Sequence, residues 1–257
     1  MWGKTSGRVR GLVRVGLCAI AVVSGGEAEW SPVAASTVGA QVERKPIIRG
    51  AADAKRAWLG AEYYGLTLHK IANRADGSLA IDVRFRRDVL TIGIDAAGSI
   101  TVSRGNATVR VTSAEAFDRL QRLLAGSDAV LAARLLLAER EAASDLQPPE
   151  MSLLSTAAFI ASLAGDLDAP RRLSVRFVEK YRGWYRPVRL ATCFDEYSQE
   201  SSAAWNDLQN CMDEANQDSS VLNRAYRRVA CNGVWLLRSE SAWIEYIGCL
   251  GLGQLYQ

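Results

Sequence analysis

Four cysteines near the C-terminal end, Cys193, Cys211, Cys231 and Cys249, are separated by gaps of seventeen, nineteen and seventeen residues. Thiols can bind metal, cycle between redox states or form permanent cross-links. Zinc sites use close Cys-x-x-Cys or Cys/His clusters, and dithiol redox centres use Cys-x-x-Cys. Gaps this long fit neither, so no metal and no cofactor is expected, and the four read as disulfide partners. Eighteen positions at about 100° each return a helix to one face. Cys193 and Cys211 can therefore share one helical stripe, and Cys231 and Cys249 another. Eighteen residues of helix also rise about 27 Å, whereas a disulfide needs its Cα atoms within about 7 Å. Bridges within either helix are thus excluded. Of the remaining pairings, the antiparallel one, Cys193–Cys249 with Cys211–Cys231, needs only a short return loop.

Other residues offer weaker chemistry. Lys180, Tyr181, Arg182, Trp184, Tyr185 and Arg186 interleave bases with aromatics. Such a run can hold an anionic or glycan partner by charge, stacking and cation–π contact. The competing reading is that these bases neutralise the acidic segment that follows. His69 is the one histidine. Its parity is opposite to Leu66 and Leu68, which turns it to water, and no nucleophile signature accompanies it. Asp82 and Asp95 read as outward-facing strand acids and Asp88 as a turn residue. Paired carboxylates can run glycoside chemistry when held several ångströms apart, but the two-residue period already explains these. Asn106-Ala-Thr108 matches a glycosylation sequon, a match common by chance.

The elements that would hold these residues follow from hydrophobic period. Residues 1–28 have the layout of a secretory signal peptide: Lys4, Arg8, Arg10 and Arg14, then the apolar run Val15–Val23, then Gly26-Glu27-Ala28 as a cleavage site. That run is too short to span a bilayer, which takes about 20 residues, and Cys18 lies inside it. Without residues 1–28 the bases and acids are equal in number and the cysteine count becomes even. Neutral charge gives no argument for nucleic acid or a membrane surface. An even cysteine set in an exported chain favours disulfides.

Residues 29–60 read as a leader or linker, with a short helix over Ala51–Leu59. From Glu62 to Val111 apolar residues alternate with polar ones, in runs such as Leu79, Ile81, Val83 and Phe85, and turn residues separate the runs. This is an antiparallel meander of about five strands with one wet face. Helices follow: one capped at Thr112-Ser113, one from Ser127 to about Ala142, and Met151–Leu163, apolar all round and so a core helix. Leu173, Val175 and Phe177 alternate as one more strand. Cys193–Ser220 holds seven acids and no base, while Val221–Arg238 holds Arg224, Arg227, Arg228 and Arg238 and no acid. Opposite charge supports pairing the two segments, though exposed pairs contribute little, about 0–1 kcal/mol each. Asn232-Gly233 is a rival signal, for a hairpin turn. The helix is the favoured reading because two bridges can offset one weak position.

The expected fold class is α+β: the meander covered by helices, followed by a disulfide-stapled helical hairpin. The expected division is 61–166 for the α+β domain and 167–257 for the basic connector and hairpin. No catalytic constellation emerges. The expectation is a non-enzymatic exported binding or interaction module of the periplasm or cell exterior. The alternatives are an exported hydrolase using carboxylates and an apolar-ligand carrier. No nucleic acid partner, and no membrane span after signal cleavage, is expected.

Overall fold

The computed structural model describes residues 45–53, 55–143, 146–182, 191–249 and 254–255. Residues 1–28, the expected signal segment, lie outside them. Seven strands run in chain order as an antiparallel meander: β1 (Ile47–Ala52), β2 (Arg56–Tyr63), β3 (Leu66–Asn73), β4 (Ser78–Phe85), β5 (Asp88–Ile94), β6 (Ile100–Arg104) and β7 (Ala107–Val111). Six helices follow: α1 (Ala114–Leu124), α2 (Asp128–Glu141), α3 (Pro148–Leu163), α4 (Ala169–Arg182), α5 (Ala191–Asn216) and α6 (Val221–Cys249). A two-residue strand, β8 (Gln254–Leu255), returns to pair with the free side of β1. No helix of the described residues is long and apolar enough to cross a membrane.

The meander starts earlier than the sequence suggests. The expected helix over Ala51–Leu59 is instead the end of β1 and the first half of β2, while residues 29–44 of the expected leader lie outside the described residues. Ala57, Leu59 and Ala61 point into the core, while Trp58 and Glu62 point out. Alanine-rich sequence favours helix, but full-length register with β3 on one side and β1 on the other overrides that preference. Asp53 makes the turn, its Oδ1 accepting from the Lys55 and Arg56 amides at 2.7 Å each.

The expected strand at Leu173–Phe177 is likewise corrected: it is the middle of α4. Ala169, Leu173 and Phe177 are buried at four-residue steps, while Val175 is exposed. A two-residue and a four-residue period coincide at Leu173 and Phe177, and Val175 is where they part.

The helices cover one face of the sheet; among the described residues, none packs over the other. Ser113 and Ser127 cap α1 and α2, their hydroxyls accepting from the amides of Ala116 and Val130 at 3.2 Å. All of α3 from Met151 to Leu163 is buried. Residues on both sides of position 166 belong to one continuous core.

The α5–α6 hairpin closes with Cys193 bonded to Cys249 and Cys211 to Cys231, at Cα separations of 5.7 and 5.8 Å. Helix α6 runs straight through Asn232-Gly233. Both residues have a packing reason to be there. A Cβ on Gly233 would lie 3.1 Å from Ile100 Cδ1 and 3.7 Å from Phe159 Cε2, so glycine lets α6 sit close against β6 and α3. Fully buried Asn232 donates through Nδ2 to the Leu167 carbonyl at 3.2 Å, hooking α6 to the α3–α4 loop.

Candidate functional site

The meander's two-residue period fixes which strand residues reach the helices. On β3, Leu66, Leu68 and Lys70 share the inward parity, so a lysine enters the core. It is 2% exposed. On α6, Glu240 lies nine residues from Cys231 and nine from Cys249, half a helical rotation from both. The cysteines face α5, so Glu240 faces the opposite way, into the core, where it is 1% exposed. Lys70 Nζ and Glu240 Oε1 are 2.5 Å apart.

Two hydroxyls on α3, one turn apart, complete the cluster. Lys70 Nζ donates to the Ser152 hydroxyl, to the Ser152 carbonyl at 3.0 Å and to Thr156 Oγ1 at 3.2 Å. Ser152 Oγ donates to the Glu240 carboxylate at 3.0 Å, and Thr156 Oγ1 donates to the Ser152 carbonyl at 3.0 Å. The Trp243 ring centroid lies 5.4 Å from the ammonium. Burial pushes the Lys70 ammonium down and the Glu240 carboxylate opposes it. A serine held between an amine and a carboxylate resembles an activated nucleophile. Here Ser152 lies in the second turn of α3, 3% exposed, packed between β3 and α6. The cluster is a cross-tie between β3, α3 and α6.

Glu240 also forms part of the wall of a cleft of about 530 Å³. One side is α6 from Val234 to Glu245; the other is the β3–β4 and β5–β6 turns, with Asn73, Arg74 and Ser78 facing Ser241 and Glu245. Arg238, on the same wall, pairs with Asp207 of α5. Sequence reasoning passed over this cluster. The signals were a lysine on the parity of two leucines, Ser152 and Thr156 four apart on an apolar helix, and an acid midway between two same-face cysteines.

The residues singled out from sequence are dispersed. His69 is exposed on the open sheet face, its ring centroid 5.9 Å from that of Trp58. Asp82, beside it in register, accepts from Thr91 Oγ1 at 2.7 Å. Asp95 closes the β5–β6 turn, accepting from the amides of Ala97 and Ser99 at 3.0 and 2.8 Å. The Ser99 amide first of all holds its carboxyl below the ordinary range. Trp184, Tyr185 and Arg186 lie outside the described residues; Lys180, Tyr181 and Arg182 contribute backbone to the end of α4, and their side chains lie outside the described part.

Asp88 is the acid with the most structural work. It accepts from Ser127 Oγ at 2.6 Å, the Ala129 amide at 3.2 Å and Arg104 Nε at 2.8 Å. Arg104 in turn donates to the Leu123, Ala125 and Gly126 carbonyls. Burial alone would raise the Asp88 carboxyl; the hydrogen bonds from Ser127, Arg104 and Ala129 outweigh it and hold the group below the usual carboxylate range. A carboxyl depressed on folding stabilises above its unfolded value of about 4, and that contribution is lost as pH falls through the lower folded value. Asp88→Asn is therefore expected to lower stability at pH 7 by about 1–3 kcal/mol. Urea titrations at pH 7 and pH 3 should show the gap narrowing in acid. A pH-independent gap would contradict this account.

Comparison with family models, with curated proteins and with solved structures finds no match for this chain.

Proposed function

We propose that the chain is an exported, disulfide-stapled binding protein without catalytic function, and that its binding site is the cleft between α6 and the β3–β4 and β5–β6 turns. One observation carries the reading. The α6 segment that walls the cleft is held at both ends by bridges, at Cys231 and Cys249, and at its midpoint by the Lys70–Glu240 pair. A wall immobilised at three points does not have to be ordered by its ligand, which is how preorganised sites gain affinity. The exposed lining mixes Arg74 with Glu245 and the hydroxyls of Ser78 and Ser241, a set suited to a small polar solute carrying both donors and acceptors.

Export is supported by chemistry rather than by motif alone. Two closed disulfides persist in oxidising compartments and are rare where thiols are kept reduced. Residues 1–28 have the charge and apolar layout that would deliver the chain there. The acids that would serve a hydrolase are engaged otherwise: Asp82 with Thr91, Asp88 at the α1–α2 junction and Asp95 in its own turn.

The test has two arms. Fractionation of the native host should find the chain outside the cytoplasm with its thiols blocked to alkylation. Thermal-shift screening with amino acids, sugars and nucleosides should find solutes that raise Tm of the wild type and not of Ser241→Trp, which fills the cleft. Cytoplasmic protein with free thiols would overturn export. Hits that bind Ser241→Trp equally would remove the cleft from the proposal.

A further inference from the structure

The opposite end of the sheet carries a second cavity, of about 550 Å³. It lies where the β2–β3 and β4–β5 turns meet α2. Three aromatic rings, Tyr63, Tyr64 and Phe85, form one side. Ala132, Leu135 and Ala138 of α2 form the other, with Glu139 at the edge. Tyr63 and Tyr64 meet edge to face, centroids 4.6 Å apart. Leu135 is 60% exposed, so its side chain is available to a ligand in the cavity.

Two local features set this cavity apart from ordinary surface. Tyr64 has φ +46° and Arg86 φ +58°, the two non-glycine residues of the described chain in the left-handed region. Both stand in the turns that flank the cavity. Backbone strain in a bulky residue persists where surrounding structure imposes it, and such residues gather at ligand clamps. The Tyr63 hydroxyl, in turn, is buried and makes no hydrogen bond of normal geometry among the described residues. It lies beside the Glu139 carboxylate, which together with burial pushes the phenol up and keeps it protonated.

Charge decides the ligand. No basic side chain of the described residues pairs with Glu139 in an ion pair. The nearby cations are otherwise engaged: Arg140 is bound to Glu150 at 2.8 Å, and Arg86 already stacks 5.1 Å from the Phe85 centroid. Aromatic faces attract cations through the ring quadrupole, as Arg86 shows on one of these rings. The remaining walls are methyl and methylene groups, which cannot accept hydrogen bonds. A primary ammonium could keep its contact with Glu139 but would lose water at its other N–H donors against these walls, whereas an alkylated one has no such donors to satisfy. We propose that the Tyr63–Tyr64–Phe85–Glu139 cavity binds an alkylated organic cation, a quaternary ammonium or a fully methylated amine. The cavity has room for more than the head group, so the cation can be free in solution or the end of a lipid. This site is distinct from the cleft at α6.

Choline and its uncharged isostere 3,3-dimethylbutan-1-ol are the probes, titrated against the oxidised full chain by calorimetry. Choline should bind at least about tenfold more tightly than the alcohol. Tyr64→Asn should lose about tenfold in choline affinity, yet melt no lower than wild type, because asparagine tolerates the left-handed region. Glu139→Gln should lose about fivefold or more, and Ser241→Trp should bind choline normally. Co-sedimentation with phosphatidylcholine but not phosphatidylglycerol vesicles would assign the lipid as source; choline binding without vesicle binding would assign a soluble cation. Equal affinity for choline and the alcohol, no saturable choline binding, or unchanged binding in Tyr64→Asn and Glu139→Gln would each overturn the proposal. None of these outcomes bears on the α6 cleft.

Discussion

Lys70→Met is expected to destabilise the protein by about 3–5 kcal/mol, the usual effect of leaving one member of a buried ion pair without its partner. The loss comes from Glu240. With the ammonium gone, its carboxylate is 1% exposed and keeps Ser152 Oγ alone as donor. Glu240→Leu should cost a similar amount by stranding the ammonium between α3 and α6. The double variant Lys70→Met/Glu240→Leu should recover most of the loss, because two well-packed apolar side chains replace a buried pair at little net cost or with a gain. Urea unfolding of the four proteins closes the cycle, with a coupling of several kcal/mol expected. Single variants each costing under about 1 kcal/mol would mean the pair is solvated rather than buried.

Removal of the bridges should produce effects of the same size, unequal in a way the nesting sets. The Cys211–Cys231 bridge spans 20 residues and Cys193–Cys249 spans 56. Chain-entropy reasoning gives about 3 kcal/mol for the shorter loop and about 4 kcal/mol for the longer when each acts alone. With the inner bridge intact the outer one constrains a shorter effective loop, so the two are not additive. Replacing all four cysteines by serine should therefore cost less than the sum of these acting-alone values, yet more than the sum of the two single-bridge removals, each of which leaves the other bridge in place. Stability of the three variants by thermal melting, each at one fixed pH, tests both the order and the shortfall. A Cys211–Cys231 variant less stable than the Cys193–Cys249 variant would point to native-state strain or packing instead of loop closure.

The sheet and the stapled hairpin were legible because their signals are local and periodic. Leu79, Ile81 and Val83 alternate cleanly, and an eighteen-residue cysteine interval has one simple helical meaning. The first two strands were hidden because Ala51, Ala52, Ala57 and Ala61 carry helix preference and their pairing partners lie downstream. The segment around Leu173 was ambiguous because three apolar residues at steps of two also sit on a helix when the middle one faces water. Asn232-Gly233 carries a turn signal that competes with the favoured helix, and the close approach of Ile100 to the glycine supplies the packing reason for it. The Lys70–Glu240 cluster was invisible for a different reason. Its members come from β3, α3 and α6, and nothing in any one segment announces the other two. The aromatic cavity joins two turns and a helix in the same way.

The position of Lys70 also bears on the order in which the chain can mature. Its strand is complete early, but its counter-charge arrives on the last helix. Until Glu240 docks, closing α3 over the meander would bury a lone ammonium, at a cost of several kcal/mol, comparable to the net stability of a whole domain. The half-made molecule is thereby biased toward staying open until α6 is in place. The bridges, which join α5 to α6, and the ion pair, which joins α6 to β3, thus fasten the last helix to two different partners.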